Sequence, residues 1–446
     1  MSSFGTGSSA GSPAGTPAGA PAGYRELLFG NTAFRRLWAA EIVSLLGDWF
    51  NTIALYTLVD RLTGSPMALG AVFIVKLLPM GLASPVAGLI VDRWNRRRVM
   101  IASDLLRAVL VLGLLLVDEP GDVWLVYVVT ALQMVVGSVF EPARAASLPN
   151  ITSARELVTA NALSAATWSA MLALGAALGG VATEWLGEQT VFVVDSATYL
   201  VSAWFLMRIA IPQETDPPEA GPTRLGPVLR RAGRNILDGW SYLRRNRPAG
   251  RVALAKSLWS LGGGGLVYML VLLGERLEPA AQATAIGVLF AVRGLGTGVG
   301  PIVGRRLFVD ARAWVAVMGW MVIVSGAAYC LLAALPWGWW VVLPVLVAHA
   351  GSGANWVFAT VLLQRRAEDR FRGRAFATEW LLITAADAVS ILAASTLLEA
   401  GWLTLRTGFL VFATVQVACG AAWLLAIVPQ ERSLAGDQGE TTSTRP

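Results

Sequence analysis

Five polar residues, Glu41, Ser44, Asp48, Asn51 and Thr52, interrupt an otherwise apolar run over residues 37–58. Their successive spacings of 3, 4, 3 and 1 place them on one stripe of a helix with 3.6 residues per turn. The run is about long enough to cross a bilayer. A charge at the centre of such a helix costs roughly 2.5–3.5 kcal/mol on insertion scales, so the stripe must face protein or water, and its acids are functional candidates. Asp48 lies about 16 Å along the helix from Leu37, near mid-membrane. A carboxylate there can exchange a proton with a water-filled path, or it can hold a salt bridge or hydrogen bond that fixes helix packing. Asp48 is the first candidate for proton coupling. Glu41, closer to the N-terminal end, is the second.

The elements that must hold this stripe are membrane helices. Of 446 residues, 55% are hydrophobic and 14% charged, mean hydropathy is +0.59, and the charges cluster in short segments between long apolar stretches. That composition argues against a soluble protein, which would need mixed charged faces along its elements. Cys330 and Cys419 both sit in apolar runs and offer neither a disulfide framework nor metal-ligand spacing. There is no zinc motif and no histidine free for a hydrolytic triad, which argues against an enzyme. "GLGTGVG" (residues 294–300) lacks the strand that a dinucleotide loop needs. "GRVALAKS" (residues 250–257) has Ala255 in place of the second glycine of a phosphate loop. The expected cofactor set is therefore empty, with an ion gradient rather than ATP as the driving force.

Twelve apolar stretches emerge, over residues 37–58, 66–91, 99–117, 124–140, 160–183, 191–211, 252–273, 283–303, 314–335, 339–362, 375–398 and 405–428. Arginine and lysine test the count. Segments on the side of the N-terminus hold 28 of them, counting Arg208 at the end of the sixth stretch, the opposite side holds Arg61, Arg276 and Arg406, and four others lie within spans. This asymmetry predicts both termini in the cytoplasm. It also explains the basic pI of about 9.7 without a nucleic-acid partner. The expected organisation is a disordered tail over 1–23, a six-helix bundle over 24–211, a linker over 212–250, a second bundle over 251–429 and a disordered tail over 430–446. In the linker, Leu229, Ile236, Leu237, Trp240 and Leu243 fall on one helical face among arginines. That pattern fits a helix on an anionic lipid surface or one packed on the bundle.

Two internal matches suggest a parallel repeat: "PVAG" (85–88) ends the second span and "PIVG" (301–304) ends the eighth, 216 residues later. The expected fold is all-α and integral to the membrane, with twelve transmembrane helices in two six-helix bundles related by pseudo-two-fold symmetry. "GLIVDRWNRRR" (88–98) resembles the signature G-x-x-x-D-R-x-G-R-R of the major facilitator superfamily, with Asn95 where glycine is usual. "SLLGDW", "SDLLRA" (103–108), "EPARAASLPNITSARELVTANAL" (141–163), "ILDGWSYLRRNRP" (236–248) and "DRFRGRAFA" (369–377) are similar to the drug-efflux branch that includes macrolide-efflux proteins and the enterobactin exporter.

The resemblance implies alternating access in the cell inner (plasma) membrane, a small-molecule substrate and proton-coupled efflux by a monomer. Relatives with the same signatures also import solutes or move lipids such as lysophospholipid, and a non-transporting sensor or scaffold stays open as another class. The resemblance further implies that the signature loop (Gly88, Asp92, Arg93, Arg96 and Arg97) latches the two halves, with Asp92 near the N-terminus of the eleventh helix, where the helix dipole favours negative charge.

Other polar residues within spans extend the candidate set. Asp104 and Arg107 are three apart on one helical face, with Glu141 as a possible third partner. Asp387 is a third proton-coupling candidate, whereas Asp195 reads as a structural acid. Ser44 and Asn51 of the stripe are cavity candidates. Gln133, Tyr268 and Asn355 join them because their helices resemble cavity-lining ones, and His349 joins them as the one histidine.

Overall fold

The computed structural model describes residues 22–213, 225–310 and 313–431. The expectations for residues 1–21, 214–224 and 432–446 lie outside the described residues. Among the described residues every regular element is helical, and twelve helices are long and apolar enough to cross a membrane. Hydrocarbon offers no partner to a peptide group, so each crossing segment must satisfy its backbone within itself.

Helix starts are written locally. The Asn31 side chain accepts from Phe34 N at the start of α2 (Thr32–Thr63), after the short α1 (Tyr24–Gly30). Ser65 accepts from Ala68 N, and Pro66 opens α3 (Pro66–Arg93). The turn between them needs Gly64, whose φ of +57° lies in the left-handed region. The remaining helices of the first half are α4 (Arg96–Leu112), α5 (Val123–Gly137), α6 (Phe140–Ile151), α7 (Ala154–Leu186) and α8 (Glu188–Met207). The linker forms α9 (Leu225–Arg245). The second half comprises α10 (Arg247–Leu277), α11 (Gln282–Leu307), α12 (Trp314–Ala334), α13 (Val342–Arg366), α14 (Asp369–Glu399) and α15 (Leu405–Ala422).

Packing repeats between halves. In the first, α2 packs on α7 and α8, α3 on α5, and α4 on α8. In the second, α10 packs on α14 and α15, α11 on α13, and α12 on α15. Two seams join the halves, α7 with α11 and α3 with α14, and they are also related by the repeat. The α7–α11 seam is built from small residues. A β-carbon on Gly180 would lie 2.5 Å from the Ala283 carbonyl, and one on Gly287 would lie 2.6 Å from the Ala176 carbonyl.

On the side away from the termini the halves are closed. Tyr56 stacks on Phe73 at 4.4 Å, Phe73 meets Tyr268 edge-on at 5.6 Å, and the Tyr268 hydroxyl donates to the Pro66 carbonyl at 2.7 Å. Gln282 Nε2 donates to Asp60 at 2.5 Å. Two carboxylates then clamp helix starts across the seams. Glu184, near the end of α7, accepts from Ala283 N at the start of α11, 3.1 Å. Glu399, at the end of α14, accepts from Met67 N at the start of α3, 3.1 Å, and from Ser65 Oγ, 2.7 Å. Each places a negative charge on a helix N-terminus, where the dipole and unpaired N–H groups favour it. The α3–α14 seam is tight near the closed end, where Gly70 lies against Ser395, and loosens toward the termini, with only loose contact of Gly81 with Thr384 and nothing within 4 Å of a β-carbon on Gly88. A cavity opens on that side.

The linker helix divides its apolar residues. Tyr242 and Leu243 are buried, Tyr242 stacks on Phe371 at 4.6 Å, and Gly239 lies against Arg374 and Thr378 of α14. Leu237 and Trp240 stay exposed among arginines. The fourth span also differs from expectation: the helix breaks after Gly137 and resumes as α6 through Ile151, so residues 141–151 belong to the bundle rather than to a loop.

Hydrogen bonds to charged acceptors contribute on the order of 1.5–3 kcal/mol, less where water competes. Replacing both Glu184 and Glu399 by Ala is expected to raise the population open on the far side about tenfold. The measurement is labelling of a Leu77→Cys reporter, in a Cys330→Ser, Cys419→Ser background, by an impermeant maleimide supplied from that side. A change of less than about twofold would show that closure does not depend on these clamps.

Candidate functional site: a charged cavity between the bundles

The stripe on α2 opens onto a cavity of about 830 Å³ between the halves, lined among others by Glu41, Ser44, Asp48 and Thr52. Asn51 does not line it. One residue before Thr52 on the helix, it turns toward α8, where its Nδ2 donates to Asp195 Oδ2 at 2.7 Å. Asp195 is fully buried.

Asp48 is the hub of the deeper cluster. The Tyr199 hydroxyl donates to Asp48 Oδ1 at 2.5 Å, and Arg107 Nη1 lies 3.7 Å from the same oxygen. Arg107 binds Asp104 more closely, 2.6 Å, and Ser202 holds the other Asp104 oxygen at 2.6 Å. The guanidinium also lies over the Tyr199 ring at 4.3 Å and the Phe140 ring at 5.2 Å. Asp104 is completely covered, whereas the Asp48 side chain is 33% exposed. Lys76 of α3 donates to Thr52 Oγ1 at 2.8 Å, and that hydroxyl donates to the Asp48 carbonyl at 2.6 Å. One cation is thus shared by a sealed acid and an accessible one.

A second cluster surrounds Glu41. Arg144 of α6 reaches Glu41 at 3.3 Å and grips Glu141 through two nitrogens at 2.9 and 2.5 Å. Ser164 of α7 accepts from Arg144 at 2.9 Å and donates to Glu41 at 3.3 Å. The expected link of Glu141 to Arg107 is therefore corrected: Arg144 is its partner, because the two are three residues apart on α6. Arg144 escapes sequence reading because a basic residue beyond an apolar stretch looks like a topology signal. The clue available was Glu141, whose i+3 neighbour it is.

In the second half, the residue equivalent to Asp48 is Gly264, and a β-carbon there would lie 2.9 Å from the Asp387 backbone. Asp387 of α14 lines the cavity. Arg293 of α11 lines it too. Behind the wall, Lys256 pairs with Glu379 at 3.1 Å, both buried. Trp49, Phe73, Trp168, Trp259 and Phe290 supply aromatic surface.

Residues 37–378 match the profile of the Major Facilitator Superfamily. The chain belongs to the major facilitator superfamily. Superfamily relatives include the uncharacterized MFS-type transporter y4rN of Sinorhizobium fredii (strain NBRC 101917 / NGR234), 27% identical over 359 residues, which cover 79% of this chain and 84% of that one. Macrolide efflux protein A of Streptococcus pyogenes is 24% identical over 53% of this chain and 55% of its own length. Against the MFS-type transporter YfiS of Bacillus subtilis (strain 168), 28% identical, the match spans 48% of the relative. Among solved structures, a POT family transporter in complex with 5-aminolevulinic acid superposes with a TM-score of 0.73 at 10% identity, covering 92% of this chain and 99% of that one. At that identity the likeness speaks to the fold alone. The protein is thus a multi-pass membrane protein of a superfamily whose matched relatives are transporters.

Two arginines of the superfamily signature loop bind within the first half. Arg96 donates to the Ala146 carbonyl at 2.7 Å and to Asn150 at 3.1 Å, and Arg97 donates to the Leu206 carbonyl at 3.0 Å and to that of Met207. Both arginines serve carbonyls at the ends of α6 and α8, within the first half, where the helix dipole favours cations. Asp92 is exposed and makes no ion pair among the described residues. The start of α14 already carries Glu368 and Asp369, and Glu368 N donates to Tyr242 of α9.

Several cavity candidates lie elsewhere. Tyr268 belongs to the closed end. His349 is enclosed between Tyr329, whose hydroxyl is 2.9 Å from Nε2, and Trp259. Asn355 faces away, toward Met318 and Trp423. Gln133 is buried without lining the cavity. The helices of Gln133 and Tyr268 do reach the cavity, through Met134 and Val267, so helix membership does not say which way a side chain points, whereas α13, which carries His349 and Asn355, contributes no lining residue.

Removing one partner of a buried ion pair costs about 3–5 kcal/mol. Arg144→Ala, which strands Glu41, is expected to destabilise the protein by about 3 kcal/mol, whereas Glu141→Gln, at an exposed acid, changes Tm little. Thermal melting of the purified protein in detergent checks this order. Equal shifts would mean that Glu41 needs no counter-charge.

Proposed function

We propose that the protein is a proton-coupled efflux transporter that exchanges an amphipathic small molecule, such as a drug, antibiotic or siderophore, for protons by alternating access. On this reading both termini are cytoplasmic, the membrane is the cell inner membrane, and the cavity is open inward. The 28-to-3 distribution of basic residues supports that orientation. The similarity to macrolide efflux protein A supports the direction of transport.

The observation that carries coupling is the position of Asp48. It is the cavity-exposed member of a carboxylate pair that shares Arg107. When Asp48 is ionised, Arg107 is held by both acids and ties α2 to α4. When Asp48 is protonated, Arg107 remains with Asp104 alone and the link between the helices weakens. A proton arriving from outside would therefore change the packing of the helix that lines the path, while the same residue meets substrate from inside. Glu41 is engaged by Arg144, and Asp387 lies on the opposite wall, so both follow Asp48 in the order of candidates.

The test is substrate-triggered proton movement in proteoliposomes with a pH-sensitive dye, screening cationic dyes, macrolides and siderophores. Wild type is expected to move protons against a compound, and Asp48→Asn to bind that compound within about threefold of wild type but to couple at least about tenfold less, the range in which general acid–base groups contribute. Equal coupling in both proteins would make Asp48 a packing residue and transfer the role to Asp387 or Glu41.

A further inference from the structure

The cavity cations differ in one respect. Arg107 and Arg144 are each engaged by two carboxylates. Lys76 donates to Thr52 and lies in the field of Asp48 and Asp195. Arg293 has no hydrogen bond and no ion pair among the described residues, and its Nε is buried without a partner. Its electrostatic neighbours are the hydroxyls of Tyr56 and Tyr329 and the carboxylate of Asp387, which forms no ion pair with it. A guanidinium carries five N–H donors that hydrocarbon cannot satisfy, and a buried charge without a hydrogen-bonded counter-charge in contact is unfavourable. A residue of that kind facing an open cavity is poised for a partner that arrives with the cargo.

We infer that Arg293 anchors an oxyanion of the transported molecule, so that the substrate class is an amphiphile bearing a carboxylate or similar terminal oxyanion rather than a lipophilic cation. The inference rests on the transport reading of this cavity. The surroundings fit such a molecule end to end. The guanidinium sits one helical turn from Phe290, 5.6 Å from its ring, and Phe290 approaches Tyr56 at 5.9 Å and Trp49 at 6.3 Å. These rings form the floor of the cavity at its closed end. The oxyanion is therefore bound deepest, in the least hydrated part of the path, where a forked pair of hydrogen bonds is strongest. The apolar body extends toward the mouth between Trp168 and Trp259, both in the lining. The volume of about 830 Å³ accommodates a drug-sized molecule.

Three fluorescent probes that share one apolar body separate the possibilities: dansylglycine (carboxylate), dansylglycinamide (neutral) and dansylcadaverine (cation). Each is titrated against the full-length purified protein. Dansylglycine is expected to bind wild type about tenfold more tightly than the amide, in line with a charge-assisted bidentate contact. Arg293→Gln should remove that preference while leaving the amide's affinity unchanged, which also reports that the variant is folded. Arg293→Lys should restore part of it. The inference is overturned if dansylcadaverine binds wild type best, if Arg293→Gln leaves dansylglycine binding unchanged, or if dansylglycine does not bind at about 1 mM, a negligible affinity. Flux separates this from the efflux proposal. Arg293-dependent binding of dansylglycine without movement in proteoliposomes would refute efflux and keep the anchor. Proton-linked flux of a cation, insensitive to Arg293, would keep efflux and refute the anchor.

Discussion

A charged group within a bilayer has no water to solvate it, so each must be sealed against a counter-charge or turned toward an aqueous path. The interior of this protein is arranged around that constraint. Asp104, Asp195 and Glu379 are sealed, each with a named partner: Arg107 and Ser202, Asn51, and Lys256. Asp48, Asp387, Lys76 and Arg293 line the cavity instead. Wherever a helix carries one of these groups, its rotation about its own axis is fixed, because any other setting would present charge to lipid. The polar residues of α2 thus orient the helix as much as they equip the path.

The two halves share a skeleton but not a charge pattern. Equivalent helices pack on equivalent neighbours, and even the carboxylate clamps recur: Met67 and Ala283, the two clamped residues, are 216 positions apart. The acids of the path break this symmetry. In the first half the acid stands on the leading helix, as Asp48. In the second, the corresponding place is Gly264, whose missing side chain lets α14 approach and bring Asp387 to the wall. A pseudo-symmetric scaffold can therefore rock evenly while its two walls present different chemistry.

Much of the fold was legible because a membrane helix declares itself by length and apolarity alone. All twelve crossings coincide with apolar runs in the sequence, and four of the five stripe residues on α2 line the cavity. The pair Asp104–Arg107 was readable because both partners lie on one helix. Partners on different helices were not: nothing local tells that Asn51 meets Asp195, that His349 meets Tyr329 or that Arg144 reaches Glu41. Periodicity gives the direction of a stripe relative to its own axis, and the neighbour it meets is decided by packing. The signature loop illustrates a different limit. Two of its arginines, Arg96 and Arg97, bind carbonyls of α6 and α8 within the first half, contacts that the motif alone does not specify.

The seam between α7 and α11 has a kinetic consequence. Along it, Ala173 faces Gly294, Ala176 faces Gly287, and Gly180 faces both Ala283 and Gly287, with backbones almost in contact. Interlocked large side chains would have to climb over one another whenever the halves turn, adding an activation barrier at each notch. Methyl groups and hydrogens present a nearly smooth surface, so the two helices can roll like a plain bearing with little friction. On such a joint the rate of turning is set by the few polar contacts at its ends and not by the long surface between them.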